Sequence, residues 1–141
     1  MPRRILVSFA ALVWCIVFAE MTRADTLSIT ISNVHTAQGT LMLQILTEDE
    51  FSGEADPTAA FMQRATEGEM VYAATLPAGT YALRIMHDVN GNGELDTNFV
   101  GIPSEPWAFS NNAKGNFGPP TWADVSFELK GDVVQTIELN K

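Results

Sequence analysis

Apolar and polar residues alternate along most of this chain after its first 24 residues. In residues 26–32 apolar side chains alternate with hydroxyl side chains, and residues 39–45 repeat the alternation. Strict alternation over a short segment is typical of a β-strand with one buried face. The pattern predicts strands at residues 26–32, 39–45, 70–75, 81–87, 123–129 and 133–139.

These strands predict an all-β fold, an antiparallel two-sheet β-sandwich of about seven strands. No segment shows a strong helical period, and the sequence contains no internal repeat. Residues 47–68 are weakly patterned and acidic, with Gly53 and Pro57 as breaks, so we expect a mobile excursion at one end of the sheet. Within it, residues 59–65 are expected to form a short helix or a turn.

Residues 99–120 have no strand pattern and are rich in glycine and proline. A loop of this length in a compact domain is usually functional or disordered. Its aromatic residues, Phe99, Trp107, Phe109 and Phe117, are untypical of disorder. We therefore expect a long ordered loop cap, in which these side chains are tucked over the end of the sandwich.

The first 24 residues have the layout of a secretory signal peptide. Two arginines precede a 15-residue apolar run, residues 5–19, and small residues follow near a predicted cleavage after Ala24. A permanent membrane anchor is the alternative, but the run is shorter than the ~20 residues that span a bilayer. Cleavage would remove Cys15, the only cysteine, and leave residues 25–141 as a single periplasmic or secreted domain without a disulfide or a stable membrane span.

The chain is acidic, with 17 acidic residues, 8 basic residues and a net charge of −9. The leader holds three of the arginines and one glutamate, so its removal would lower the net charge to −11. Such a surface repels phosphate backbones, and we therefore expect no nucleic-acid partner. It would attract cations or basic partners, although solubility alone is a sufficient explanation for the charge.

The most distinctive motif is residues 87–98, which read His-Asp-Val-Asn-Gly-Asn-Gly-Glu-Leu-Asp-Thr-Asn and follow a predicted strand. Ca²⁺ takes six to eight oxygen ligands from tightly turning loops. When Asp88 is taken as the first position of an EF-hand loop, oxygen ligands fall at positions one, three, five and nine, glycine at six and a backbone carbonyl at seven. The predicted Ca²⁺ ligands are Asp88, Asn90, Asn92, the carbonyl of Glu94, and Asp96.

This loop also departs from the EF-hand pattern. Phe99 occupies the twelfth position, where the pattern has a bidentate glutamate, and the loop follows a strand instead of a helix. A substitute carboxylate could come from Glu105 or Asp124 across the fold, but the sequence does not place either of them. The alternative is a metal-free turn, because Asn-Gly pairs form tight turns and Asp and Asn side chains hydrogen-bond to their own turns.

Three residues in the predicted cap, Trp107, Asn111 and Asn112, are candidates for contact with another ligand. The adjacent amides suit a polar ligand, a completed metal shell, or the pinning of a loop to the backbone, which is a common role of asparagine in loops. Trp107 and Trp122 suggest carbohydrate stacking, whereas tryptophan in a sandwich usually serves the core or holds a loop.

Four segments together point to a known family. They are residues 76–82 (Leu-Pro-Ala-Gly-Thr-Tyr-Ala), the oxygen-rich residues 87–96, residues 101–105 (Gly-Ile-Pro-Ser-Glu) and residues 109–113 (Phe-Ser-Asn-Asn-Ala). With them, essentially the whole predicted mature chain closely resembles a bacterial family of exported proteins known as domain of unknown function 2141. Residues 76–83 are also similar to part of transthyretin-like sandwiches. The resemblance implies a secreted or periplasmic single domain of prealbumin type, without an established activity.

The resulting hypothesis is an exported β-sandwich binding or accessory module with a calcium-stabilised loop and an unknown ligand. The ion would order the cap, which would present its candidate residues. One alternative is a metal-free interaction domain for an envelope protein or a carbohydrate. Another is an undetected hydrolase, but two histidines, no cysteine after cleavage and no Gly-x-Ser-x-Gly motif give catalysis little basis, and we do not expect an enzyme.

Overall fold

The computed structural model describes residues 24–140. The predicted signal peptide lies outside the described residues, apart from Ala24, with which the first strand begins. Within this range, no helix is long and apolar enough to cross a membrane. The elements are β1 (Ala24–Val34), β2 (Thr40–Leu46), α1 (Glu48–Phe51), β3 (Ala59–Arg64), β4 (Gly68–Pro77), β5 (Gly79–Asp88), β6 (Trp107–Phe109), a 3-10 helix (Ser110–Asn112), α2 (Trp122–Val125), β7 (Phe127–Leu129) and β8 (Val133–Glu138).

The strands form two sheets, which confirms the predicted all-β, sandwich-like fold. One sheet has the order β4-β1-β8, and the other has the order β3-β2-β5-β6, with β7 paired to the beginning of β5. The described pairs are antiparallel as predicted, with the exception of β1 and β8, which run parallel. Parallel neighbours need a long connection instead of a hairpin, and nearly the whole domain lies between these two strands.

The core is built from the alternation seen in the sequence. Leu27, Ile29 and Ile31 of β1 are fully buried, and they join alternate residues of β2 and β5 in one apolar cluster. Complete burial of such a side chain stabilises the fold by roughly 1.5–3 kcal/mol. A slip of one residue would expose the whole set, so this pattern fixes both the register and the inward face of each strand.

The predicted helix or turn at residues 59–65 was wrong, because this segment forms the edge strand β3. β3 pairs with β2 in antiparallel register, and its Phe61 packs against Tyr72 with the ring centroids 5.7 Å apart. An edge strand is held by its backbone pairing to one neighbour, so a weak alternation of side chains suffices. Earlier in this stretch, α1 begins with a capping box between Thr47 and Glu50.

The predicted strand at residues 123–129 was wrong in its first half, which forms the helical turn α2. A capping box starts this turn, in which the Asp124 carboxylate accepts the N–H of Thr121 at 2.8 Å, and the Thr121 hydroxyl also donates to this carboxylate at 2.6 Å. The side-chain hydrogen bond with Thr121 is the main cause of a lowered pKa at Asp124, with the Thr121 N–H as the second cause. The second half of the predicted strand is β7.

The predicted loop cap is ordered around β6 and the 3-10 helix. Trp107 packs edge-to-face on Phe109, with centroids 5.7 Å apart, and Phe109 contacts Phe51. Phe99 and Phe117 are fully exposed, so the prediction that all four aromatic side chains are tucked over the sandwich was wrong for these two. Each lies in a turn-forming segment rich in glycine and proline, outside the strands that could cover it.

Candidate metal-binding loop and apolar tip

The acidic loop, residues 88–96, begins where β5 ends. Asp88 is buried, and its carboxylate accepts hydrogen bonds from the N–H groups of Gly91 (2.7 Å), Asn92 (3.1 Å) and Gly93 (2.8 Å). Both glycines have positive φ, 77° and 82°, a conformation that residues with a Cβ rarely adopt. Glycine at these two positions therefore lets the chain curl around the Asp88 carboxylate.

Asp88 is itself positioned by Gly39, which lies directly before β2. A Cβ on Gly39 would lie 1.9 Å from the carbonyl oxygen of Asp88, and Gly39 has a φ of +74°. Thr40 and Asp88 are register partners at this end of β2 and β5. The glycine therefore lets the two strands approach closely at the base of the acidic loop.

Asparagine and aspartate side chains tie the rest of the acidic loop together. The amide nitrogens of Asn90 and Asn92 each donate to a different oxygen of the Asp96 carboxylate, the second at 3.0 Å. The amide oxygen of Asn90 accepts from the N–H of Asn92, and that of Asn92 accepts from the N–H of Glu94 at 2.9 Å. The side chains of the predicted metal ligands are thus brought together, and Glu94 contributes its backbone to the same turn.

Glu105 joins the two ends of the acidic loop. Its buried carboxylate accepts from the N–H of Val89 at 2.8 Å through one oxygen and from the N–H of Asp96 at 3.2 Å through the other. Of the two residues predicted as substitute metal ligands, Glu105 therefore lies beside the loop, where it serves as a backbone tie. Asp124 is held in the capping box of α2 instead.

The donor set of the acidic loop suits a hard cation better than a transition metal. In the described part of the chain, no three or more His, Cys, Asp or Glu side chains are arranged to hold a metal ion. The loop contains two carboxylates, Asp88 and Asp96, and the side-chain amide oxygens of Asn90 and Asn92. Oxygen atoms of this kind are those that Ca²⁺ sites use, and in this structure they accept hydrogen bonds from within the loop.

A small hairpin projects from the end of the acidic loop. Its turn is held by Asn98, whose side-chain oxygen accepts the N–H groups of Val100 and Ile102, both at 3.0 Å. The N–H of Asn98 also donates to the carbonyl of Ile102 at 2.8 Å. At its end are Phe99, 99% exposed, Val100, 60% exposed, and Ile102, 59% exposed. These three side chains are called the apolar tip.

The sequence reasoning missed the apolar tip because it expected Phe99 to be tucked over the end of the sandwich with the other aromatic residues of the cap. A usable signal was present in residues 98–102, where Asn-Phe-Val-Gly-Ile places apolar side chains inside a turn. Side chains at the end of a two-stranded turn have few neighbours to cover them. The apolar tip is therefore exposed by its position in the fold.

A cavity of about 230 Å³ lies beside the acidic loop, and both histidines of the chain line it together with Val89 and Glu105. His87 is fully buried and lies 2.7 Å from the carbonyl oxygen of Gln38 through Nε2. A carbonyl only accepts, so Nε2 carries the proton, and Nδ1 is left without a hydrogen-bond partner. His87 continues the alternate buried positions of Leu83 and Ile85 in β5, which accounts for its burial.

Asn111 and Asn112 tie their loop to the backbone of neighbouring segments through side-chain hydrogen bonds. Asn111 has a φ of 60°, and its amide nitrogen donates to the carbonyls of Asp124 and Ser126. Asn112 donates to the carbonyl of Thr136 at 3.0 Å and accepts the N–H of Glu138 at 2.7 Å, as a neighbouring strand would. Both amides are engaged by backbone groups.

Trp107, the third ligand candidate in the cap, is half-buried. Its ring packs on Phe109, and its backbone exchanges hydrogen bonds with Asn140. These contacts hold the cap to the end of the domain. They place Trp107 in the packing role that tryptophan usually has in a sandwich.

The fold and this site define a class of protein: a small all-β domain in which the connection between β5 and β6 forms an acidic, oxygen-rich loop and an exposed apolar hairpin. The chain belongs to the family of uncharacterised proteins conserved in bacteria known as DUF2141, which matches residues 29–137. This match confirms the family resemblance found in the sequence. Neither a curated protein nor a solved structure matches the chain, and the likeness to transthyretin-like sandwiches stays a prediction.

Proposed function

We propose that the protein is an exported, non-catalytic binding module in which Ca²⁺ stabilises the acidic loop. One observation carries this proposal: the amides of Asn90 and Asn92 converge on the carboxylate of Asp96, within a loop that is closed by buried Asp88. Export is supported by the signal-like layout of the first 24 residues. A binding role is supported by the projecting apolar tip beside the loop.

The residues of the acidic loop suit the ion chemically. Ca²⁺ would be held by Asp88, Asn90, Asn92, the carbonyl of Glu94, and Asp96, and it would supply positive charge to a loop that holds two carboxylates. Without an ion, the amide nitrogens of Asn90 and Asn92 face Asp96 and donate to it. Ca²⁺ binding would require both amides to turn their oxygens away from the N–H groups of Asn92 and Glu94, and the ion would have to offset the loss of these two hydrogen bonds.

A metal-free interaction domain for an envelope protein or a carbohydrate is the second candidate, and a specific observation favours it. The carboxylates of Asp88, Asp96 and Glu105 all accept hydrogen bonds from within the domain. Asp and Asn side chains commonly hold turns in this way without any ion. On this alternative, the same hydrogen bonds are a complete account of why the loop is ordered.

Thermal unfolding of the purified protein in chelator, in 1 mM CaCl₂ and in 1 mM MgCl₂ tests the proposal. A dissociation constant of about 10 μM would give roughly 2.7 kcal/mol of stabilisation by 1 mM Ca²⁺. For a domain of this size, that corresponds to a rise in melting temperature of about 8–15 °C. A rise with Ca²⁺ and not with Mg²⁺ is expected, and no rise with either ion would favour the metal-free alternative.

Two matched variants separate the proposed ligands from the general charge of the loop. Asp96→Asn removes a carboxylate that is a proposed ligand while keeping the size of the side chain. Glu94→Gln removes one charge from the same loop, but Glu94 is proposed to contribute only its backbone carbonyl. The Ca²⁺-dependent rise should fall sharply in Asp96→Asn and persist in Glu94→Gln. Equal responses of the two variants would contradict the ligand assignment.

A further inference from the structure

We infer that the apolar tip docks into an apolar cleft, bordered by lysine or arginine residues, on a protein partner. This inference rests on the binding role proposed above and names the surface and the chemistry of the partner. It does not depend on Ca²⁺. Exposed clusters of large apolar side chains on a soluble domain mark interaction sites, and aromatic residues often dominate the binding energy of such sites.

The turn that carries the tip is held in place before any partner binds. Asn98 makes hydrogen bonds through its side-chain oxygen, its N–H and its carbonyl, the last with the N–H of Gly101 at 2.9 Å. At the base, the N–H of Ser104 donates to the carbonyl of Asp96 at 2.8 Å. A pre-ordered loop loses less conformational entropy on binding, so more of the apolar burial appears as affinity.

The shape of the tip favours a concave partner. Phe99 is 99% exposed and stands between residues that form a tight turn, so its ring is accessible from every side. Burial of a ring of this kind needs walls around it, as in a cleft or a groove. Complete removal of a phenylalanine side chain from water contributes roughly 1.5–3 kcal/mol, which corresponds to about 10- to 150-fold in affinity.

The charge around the tip selects among possible occupants. Residues 85–113 contain four carboxylates and no lysine or arginine. Glu94, in this segment, is exposed, and Asp96 lies at the base of the hairpin. An anionic membrane surface attracts basic segments and would repel this one. In a second copy of this chain, the same carboxylates would face each other, which is unfavourable.

A protein cleft with a basic border matches the exposed apolar side chains of the tip and the carboxylates beside it. Its apolar floor would cover the apolar tip, and its cations would face Glu94 and Asp96. Opposite charges at the border of an interface mainly raise the association rate and the specificity. The inference therefore predicts that affinity depends on the tip, and that the salt dependence of binding depends on the carboxylates beside it.

A defined probe tests this chemistry. A fluorescein-labelled two-helix hairpin peptide of leucine and lysine carries an apolar groove between its helices that is bordered by cations, and the same hairpin with glutamate in place of lysine, the leucine–glutamate peptide, is its control. Fluorescence anisotropy in chelator should show binding of the leucine–lysine peptide only. Phe99→Ser combined with Ile102→Ser should weaken this binding at least 10-fold, and Glu94→Lys should weaken it severalfold and flatten its salt dependence. Phe117→Ser, which removes an equally exposed ring from a separate loop, should bind like the wild type.

The remaining outcomes overturn the inference. Equal binding of the peptide by the wild type and the Phe99→Ser/Ile102→Ser variant would remove the tip as the docking surface. Sedimentation of the wild type with phosphatidylcholine vesicles, lost in that variant, would make the occupant a membrane. Concentration-dependent dimerisation, lost in that variant, would make it a second copy. Because the assay is run in chelator, absence of a Ca²⁺ response in thermal unfolding leaves its result intact, and the two proposals can fail separately.

Discussion

Replacement of Asp88 by alanine should destabilise the protein even in the absence of any metal. The Asp88 carboxylate is 2% exposed and accepts three backbone N–H groups of the acidic loop. A hydrogen bond to a charged group contributes about 1.5–3 kcal/mol when it is counted singly. The three bonds share one carboxylate and their donors lie in an exposed loop that water can reach, so we expect a total loss of about 3 kcal/mol.

Urea unfolding in chelator measures this loss. Asp88→Ala should lower the midpoint without changing the slope, because the same surface is exposed on unfolding. Asp88→Asn should lose roughly half as much, since its amide oxygen can still accept the N–H groups of Gly91 and Asn92. Asp132→Ala, which removes an exposed aspartate from the turn before β8, is the matched control and should change the stability by less than about 0.5 kcal/mol.

An Asp88→Ala variant as stable as the wild type in chelator would refute this reasoning. It would mean that the acidic loop is ordered by something other than the hydrogen bonds to Asp88. The result also decides how Ca²⁺ experiments are designed. Since Asp88 stabilises the loop without an ion, its removal conflates lost structure with lost binding, and Asp96→Asn is the better test of the metal site.

Three further predictions concern other parts of the domain. Gly39→Ala should lower the free energy of unfolding in urea by about 3 kcal/mol or more, because the new Cβ would have a positive φ and would also collide with the Asp88 backbone. Gly131→Ala has a similar φ of +73° but no atom near the new Cβ, so it should lose only about 1–2 kcal/mol through backbone strain, and equal losses would contradict the close approach at Gly39. In urea unfolding, Tyr72→Phe should raise the free energy of unfolding by about 1 kcal/mol, because the buried Tyr72 hydroxyl, whose pKa is raised by burial, has no hydrogen-bond partner. The control Tyr81→Phe loses a hydrogen bond to the Pro77 carbonyl and should be less stable than the wild type, and a loss of stability in Tyr72→Phe would contradict the reasoning. The pKa of Asp124 is lowered by its hydrogen bonds with Thr121, so the stability that this carboxylate contributes is present above the ordinary pKa of 3.8 and is lost as the pH falls through the lowered pKa of the folded state. Asp124→Asn should remove this part of the pH dependence, and an unchanged acid-unfolding profile would contradict the prediction.

The sequence predicted the sheets well because their signal is local and repeated. Alternation such as that around Ile29 in β1 indicates which face of a strand is buried, and the apolar residues of that face lie in the core. The parallel pairing of β1 with β8 depends instead on how distant parts of the chain meet, which periodicity does not encode. Thr121 and Asp124 form a capping box that starts α2, but residues 123–129 also alternate like a strand, and the alternation alone predicts a strand there.

In the candidate site, too, the features set by neighbouring residues were predicted and those set by distant parts of the chain were not. The acidic loop was predicted because its residues lie within one turn of chain, so their spacing in the sequence constrains their spacing in the structure. The position of Glu105 at both ends of the loop requires the return of the chain after the hairpin, which no local pattern indicates. Exposure of Phe99 is likewise a property of the fold, because an aromatic side chain in a loop is covered or bare according to its neighbours.

The acidic loop and the apolar tip form one connected unit, and this connection gives both proposals a common physical basis. Glu105 bonds to Val89 at the start of the loop and to Asp96 at its end, and the carbonyl of Asp96 accepts the N–H of Ser104 at the base of the hairpin. Any ligand that stiffens the loop must therefore also hold the base of the hairpin. If Ca²⁺ binds the loop, it should slow hydrogen exchange at the N–H of Ser104, outside its own ligands, and it should lower the entropy lost when the tip docks. Slowed exchange confined to residues 88–96 would show that the two parts act independently.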